Sequence, residues 1–118
     1  MRVKTWLTMA LIVVAMAPVM ADKRSDAKAQ VEFGITVAQK GLWKEALMRW
    51  EKATKLDPTY PAAWNDLAIG YEQLGQFAKA REAYDAALKL NPNDSTIRTN
   101  YELFRDVYDR QNARRTSK

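Results

Sequence analysis

Six residue pairs in this chain stand thirty-four positions apart: Gly41 and Gly75, Ala46 and Ala80, Trp50 and Tyr84, Ala53 and Ala87, Leu56 and Leu90, Pro58 and Pro92. A fixed period of this length is the feature that most constrains the fold. A unit of that size cannot bury its own apolar face, so it must stack on a neighbour. The pairs also fall in an order that punctuates helices. Glycine marks a helix end, alanine and aromatic residues recur at helical spacing, and proline closes the unit.

Taken in order, the chain opens with Arg2 and Lys4, then an almost wholly apolar run from Trp6 to Ala17, then Val19-Met20-Ala21 before polar Asp22. The pattern resembles a secretory signal peptide over residues 1–21, cut after Ala21. The run from Trp6 to Met20 falls short of the roughly 20 residues of a spanning helix and is broken by Pro18. Export to the periplasm is therefore the expectation, with an inner-membrane anchor as the alternative. Residues 22–26 read as a charged linker. A first unit follows over residues 27–60, with a helix to Lys40 and a second from Trp43 to Leu56. The second unit covers residues 61–94. Pro61 suits the first helical turn, where its missing N–H is not needed. Trp64, Leu67, Ala68 and Tyr71 stripe one helix; Phe77, Ala80, Tyr84, Ala87, Leu88 and Leu90 stripe its partner. Over residues 95–110 the apolar set Ile97, Tyr101, Phe104 and Tyr108 makes a single stripe, while Glu102 and Arg105 stand where the second unit has Ala68 and Tyr71. That is a capping helix, with one face for the stack and one for water. Residues 111–118 form a basic tail, expected to fray.

The second unit resembles the tetratricopeptide repeat family, through Trp64, Leu67, Ala68, Tyr71, Ala80, Tyr84, Ala87 and Pro92. The first carries Phe33, Gly34, Ala46, Trp50, Ala53 and Pro58 of the same pattern, and departs at Gln30 and Val37. The resemblance implies an all-α fold, an α-solenoid of two antiparallel helix hairpins plus the C-terminal capping helix. The reason for the pattern is steric. Helices packed at the near end of roughly 8–10 Å need small side chains between them. Gly34, Ala68 and the paired alanines allow the approach, and Trp50 and Tyr84 fill the wider space beside them.

Composition narrows function by exclusion. The chain has no cysteine and no histidine, which removes thiolate chemistry, the usual general base and the commonest metal ligand. The serines Ser25, Ser95 and Ser117 have no base to activate them. No glycine-rich phosphate loop is present. Neither catalysis nor a cofactor nor a metal is expected. The net charge of +5 is not a nucleic-acid footprint. Arg2 and Lys4 lie in the leader, and Arg110, Arg114, Arg115 and Lys118 follow the last acid, Asp109. On the helices between, acids interleave with the bases.

The resemblance further implies a concave groove that grips a peptide or helix of a protein partner. The positions matching its inner face are Val31, Ile35, Gln39, Asn65, Asp66, Ile69, Gln73, Asn100 and Leu103. Val31, Ile35, Ile69 and Leu103 are expected to form an apolar floor. Asn65 and Asn100 are expected to meet a partner's backbone, since an amide both donates and accepts. No basic residue occupies these slots, and Asp66 repels a carboxylate, so a clamp for a chain's C-terminus is not expected. Two hairpins are few for a continuous core. Self-association through the hairpin ends is thus an alternative use of the fold. Contact of the basic tail with an anionic membrane is a lesser one.

Overall fold

The computed structural model describes residues 16–117, with side chains from residue 22. The expected signal peptide, residues 1–21, lies outside the described residues apart from the backbone of 16–21. Among the described residues five helices make up the fold: α1 (Met16–Gln39), α2 (Trp43–Leu56), α3 (Pro61–Gln73), α4 (Phe77–Leu90) and α5 (Ser95–Thr116). The pairs α1/α2 and α3/α4 are antiparallel hairpins; the second packs on the first, and α5 packs on α4. The fold is all-α, with paired hairpins followed by a C-terminal helix.

The two hairpin turns are built alike. Gly41 and Gly75 take φ of 79° and 73°, the left-handed region that glycine enters without steric cost. In the first, the amide of Leu42 reaches back to the Val37 carbonyl and that of Gly41 to Ala38. In the second, Gln76 bonds Tyr71 and Gly75 bonds Glu72 in the same pattern. This doubly bonded C-terminal motif satisfies carbonyls that the helix end leaves free. Pro61 opens α3 after an extended Tyr60. Asp94 caps α5, its Oδ1 accepting from the Ile97 amide at 3.0 Å.

Trp50 holds the first seam. Its indole N–H donates to the Val31 carbonyl at 3.2 Å, and the ring lies against Gly34 of α1 and Gly70 of α3. A Cβ on Gly34 would stand 2.4 Å from the indole nitrogen; one on Gly70 would meet Leu47 at 3.0 Å and the indole at 3.1 Å. Ala46, Ala53, Ala63, Ala68, Ala80 and Ala87 are fully buried, as close helix packing requires. The second seam is aromatic: Phe104 of α5 lies 5.4 Å from Tyr84, 5.7 Å from Tyr108 and 6.4 Å from Phe77, centroid to centroid.

Two boundaries differ from the sequence reading. Residues 22–26 are not a linker but part of α1, and Arg24 fastens that helix to the α2–α3 turn. Its guanidinium pairs with Asp57, donates to the Thr59 carbonyl and hydroxyl at 3.2 Å, and covers the Tyr60 ring at 4.8 Å. Burial works to raise the Asp57 carboxyl, but bonds from Thr59 and Arg24 outweigh it and hold the group below its usual range. At the other end α5 continues to Thr116. The basic tail is helical rather than frayed over most of its length, because nothing in residues 111–116 breaks a helix.

Candidate functional site

The residues expected to line a groove lie on α1, α3 and α5, and the repeat register sorts them into rows. Ile35, Ile69 and Leu103 are thirty-four positions apart in turn, so each helix presents one aliphatic side chain at the same repeat position. Ile35 is 41% and Leu103 61% exposed; Ile69 is half-buried against the core. One turn on, the next row is Gln39, Gln73 and Val107, all exposed. Val107 escaped the sequence reading, although the same register step from Gln73 would have found it.

Val31 does not belong to the floor. It is 5% exposed, and its carbonyl accepts the Trp50 indole. Val31 belongs to the core cluster instead, because α1 must cover both α2 and α3. The two asparagines are also placed differently from expectation. Asn65 is 7% exposed and does not stand open to a partner. Asn100 Nδ2 donates to Asn65 Oδ1, and Asn65 Nδ2 donates to Asp66 Oδ1, each at 3.2 Å. The amides are thus engaged with each other, linking α5 to α3. Asp66, half-buried, ends this chain. Burial raises its carboxyl from 3.8 to about 6, opposed in part by the Asn65 bond.

Behind this surface, tyrosine hydroxyls tie the helices by donating to glutamates: Tyr71 to Glu51 at 3.1 Å and Tyr84 to Glu72 at 3.0 Å. Both phenols are held above their usual range, by burial first and then by the carboxylate each one faces. These glutamates are structural acceptors, not a paired acid and base. A cavity of about 380 Å³ between the start of α4 and the end of α5, bordered by Phe77, Tyr108 and Arg115, contains none of the groove residues. Chemically, these positions offer aliphatic contact, one half-buried carboxylate and amides that both donate and accept.

Two tetratricopeptide repeat models match the chain, one over residues 61–94 and the other over residues 36–75. Together they span residues 36–94, half of the chain, and the chain belongs to the tetratricopeptide repeat family. Such domains generally serve as protein–protein interaction modules and are usually non-catalytic. The chain is 26% identical over 85 residues to the chloroplast tetratricopeptide repeat domain-containing protein PYG7 of Arabidopsis thaliana, covering 72% of this chain and 28% of that one. It is 29% identical over 83 residues to an uncharacterized protein of Haemophilus influenzae, covering 70% and 46%. With the uncharacterized protein ycf37 of Pyropia yezoensis it shares 40% identity over 47 residues, covering 40% and 26%. The chain therefore spans between about a quarter and a half of the length of these relatives.

Proposed function

We propose that the chain is a non-catalytic adaptor of the bacterial cell envelope that holds a peptide or helix of a protein partner in its concave groove. The observation that carries the reading is the row Ile35, Ile69 and Leu103. Isolated exposed aliphatic residues need no explanation, but aligned ones mark an interaction surface. The Asp66–Asn65–Asn100 chain borders that row with fixed polar groups, the usual composition of a recognition site.

A photoreactive side chain in place of Leu103 tests the groove. Crosslinking in native envelopes to one partner, absent when the same group replaces Asp85 on α4, supports it. Equal labelling from both positions, or none from either, removes it. The envelope location rests on the sequence of residues 1–21, and the mass of the purified chain tests it: loss of those residues is expected. Cleavage there leaves Arg24 and the buried Ala27, Val31 and Val37 of α1 in place.

A second reading has its own observation. Met48, 67% exposed on α2, and exposed Phe33 and Leu42 belong to the first hairpin, whose outer side no further repeat covers among the described residues. Self-association there would cover them. Sedimentation of the purified chain as a dimer that Met48→Glu dissociates would favour this reading over the groove.

A further inference from the structure

The chemistry of the groove's occupant follows from the direction of the hydrogen bonds beside the aliphatic row. An ionised Asp66 can only accept. Asn65 must therefore turn its Nδ2 toward it, which points Asn65 Oδ1 at α5, where Asn100 Nδ2 donates. Each amide keeps a second N–H, and Asp66 Oδ2 and Asn100 Oδ1 remain as acceptors without a partner among the described residues; of these groups only the carboxylate carries a charge.

No cation of the fold answers them. Among the described residues the ion pairs are Arg24–Asp57 and Arg49–Glu45. Lys28, one turn before Glu32 on α1, is exposed and pairs with neither acid. Glu32 itself holds on α1 the repeat position that Asp66 holds on α3, thirty-four residues earlier, so the row carries one sign of charge. Tyr60 and Tyr84, which also feel the Asp66 charge, are neutral at physiological pH. A half-buried carboxylate with no countercharge is costly in the free protein, and a cation that docks on it removes the cost.

Resting on the groove reading above, we infer that the occupant is a protein segment that presents a lysine or arginine side chain to Asp66 and aliphatic side chains to the Ile35–Ile69–Leu103 row. The two requirements act together. The aliphatic row excludes water from the charged contact, and the charge fixes the register of an otherwise sliding apolar strip.

The test uses the full chain, immobilised, and a random peptide library displayed on phage, with Leu103→Asp and Asp66→Asn as variants whose helix content is checked. Asp66→Asn keeps the shape of the side chain and the acceptor for Asn65, so it folds. Wild type is expected to select peptides that join lysine or arginine to aliphatic residues. Leu103→Asp should lose them, and Asp66→Asn should bind them about tenfold more weakly and select no basic residue. Peptides that depend on Leu103 but show no basic preference, or are indifferent to Asp66→Asn, overturn this inference and leave the groove intact. Peptides indifferent to Leu103→Asp, or no selection at all, overturn both. A wild-type chain that sediments as a dimer, with Asp66→Asn monomeric, would give the site to a second copy and overturn the separate partner.

Discussion

The two seams of this stack use the same repeat positions and fill them in opposite ways. In the first, Trp50 meets Gly34 and Gly70; in the second, one period on, Tyr84 meets Phe104, with Ala68 standing where Gly34 stood. A bicyclic side chain is matched with bare backbone, and a smaller ring with a second ring. The first seam is stabilised by fit between one large side chain and two absences. The second rests on aromatic area, which is less demanding of shape and tolerates offset rings. In this chain each junction is thus a volume shared across helices, filled by whichever of them carries the ring.

That difference makes the seams fail differently under substitution. The largest effect is expected at Phe104, fully buried and in contact with Tyr84, Tyr101, Tyr108 and Phe77. Phe104→Ala should cost about 3–5 kcal/mol by chemical denaturation, with hydrogen exchange rising first in α5. Next comes Gly34→Ala, where the new methyl meets the indole well inside contact distance. A loss of about 1–3 kcal/mol is expected, partly restored by adding Trp50→Phe, which makes room. Additive single and double variants would break the claim that the seam is a matched pair.

Asp66→Asn should act in the other direction. Burial raises the folded carboxyl from 3.8 to about 6, so below pH 3.8 wild type and variant both bear a neutral side chain. As pH rises through 6, wild type must ionise a half-buried acid, and stability it had at low pH is lost. The variant is expected to be more stable above pH 6 by on the order of 1 kcal/mol, an advantage that vanishes by pH 3.8 in thermal melts. A gain unchanged across that range would show that the carboxylate was never the cause. Smallest is Gly70→Ala. The added methyl needs Leu47 and the indole to yield by a few tenths of an ångström, while alanine regains about 1 kcal/mol of helix propensity. A near-neutral result is expected, so the two glycines of one socket should differ measurably.

Much of this was legible from the residues. The thirty-four-residue spacing predicts both hairpins, the glycines mark their turns, and the stripe Ile97, Tyr101, Phe104 and Tyr108 predicts the face by which α5 covers the stack. What escaped is what periodicity cannot encode. Val31 and Ile35 are one turn apart on a helix packed on more than one side, so apolar spacing does not say which of them reaches the groove. Arg24 lies in a polar stretch without a stripe, yet it meets a turn more than thirty residues away. The Asn100–Asn65–Asp66 chain depends on rotamers and on which atom donates, and neither is written in residue type.

The pairing of residue 84 with residue 104 also bears on how such an array can lengthen. A tandem copy of residues 61–94 inserted after position 94 would bring a second Gly70 to the place of Phe104. Tyr84 would then meet bare backbone in place of a ring, with Ala68 still on its other side. Growth by simple duplication therefore costs this seam its aromatic contact unless the added copy also carries a ring at the place of Phe104. The ring at position 104 thus suits a helix that covers the second hairpin better than it suits a further copy of the repeat.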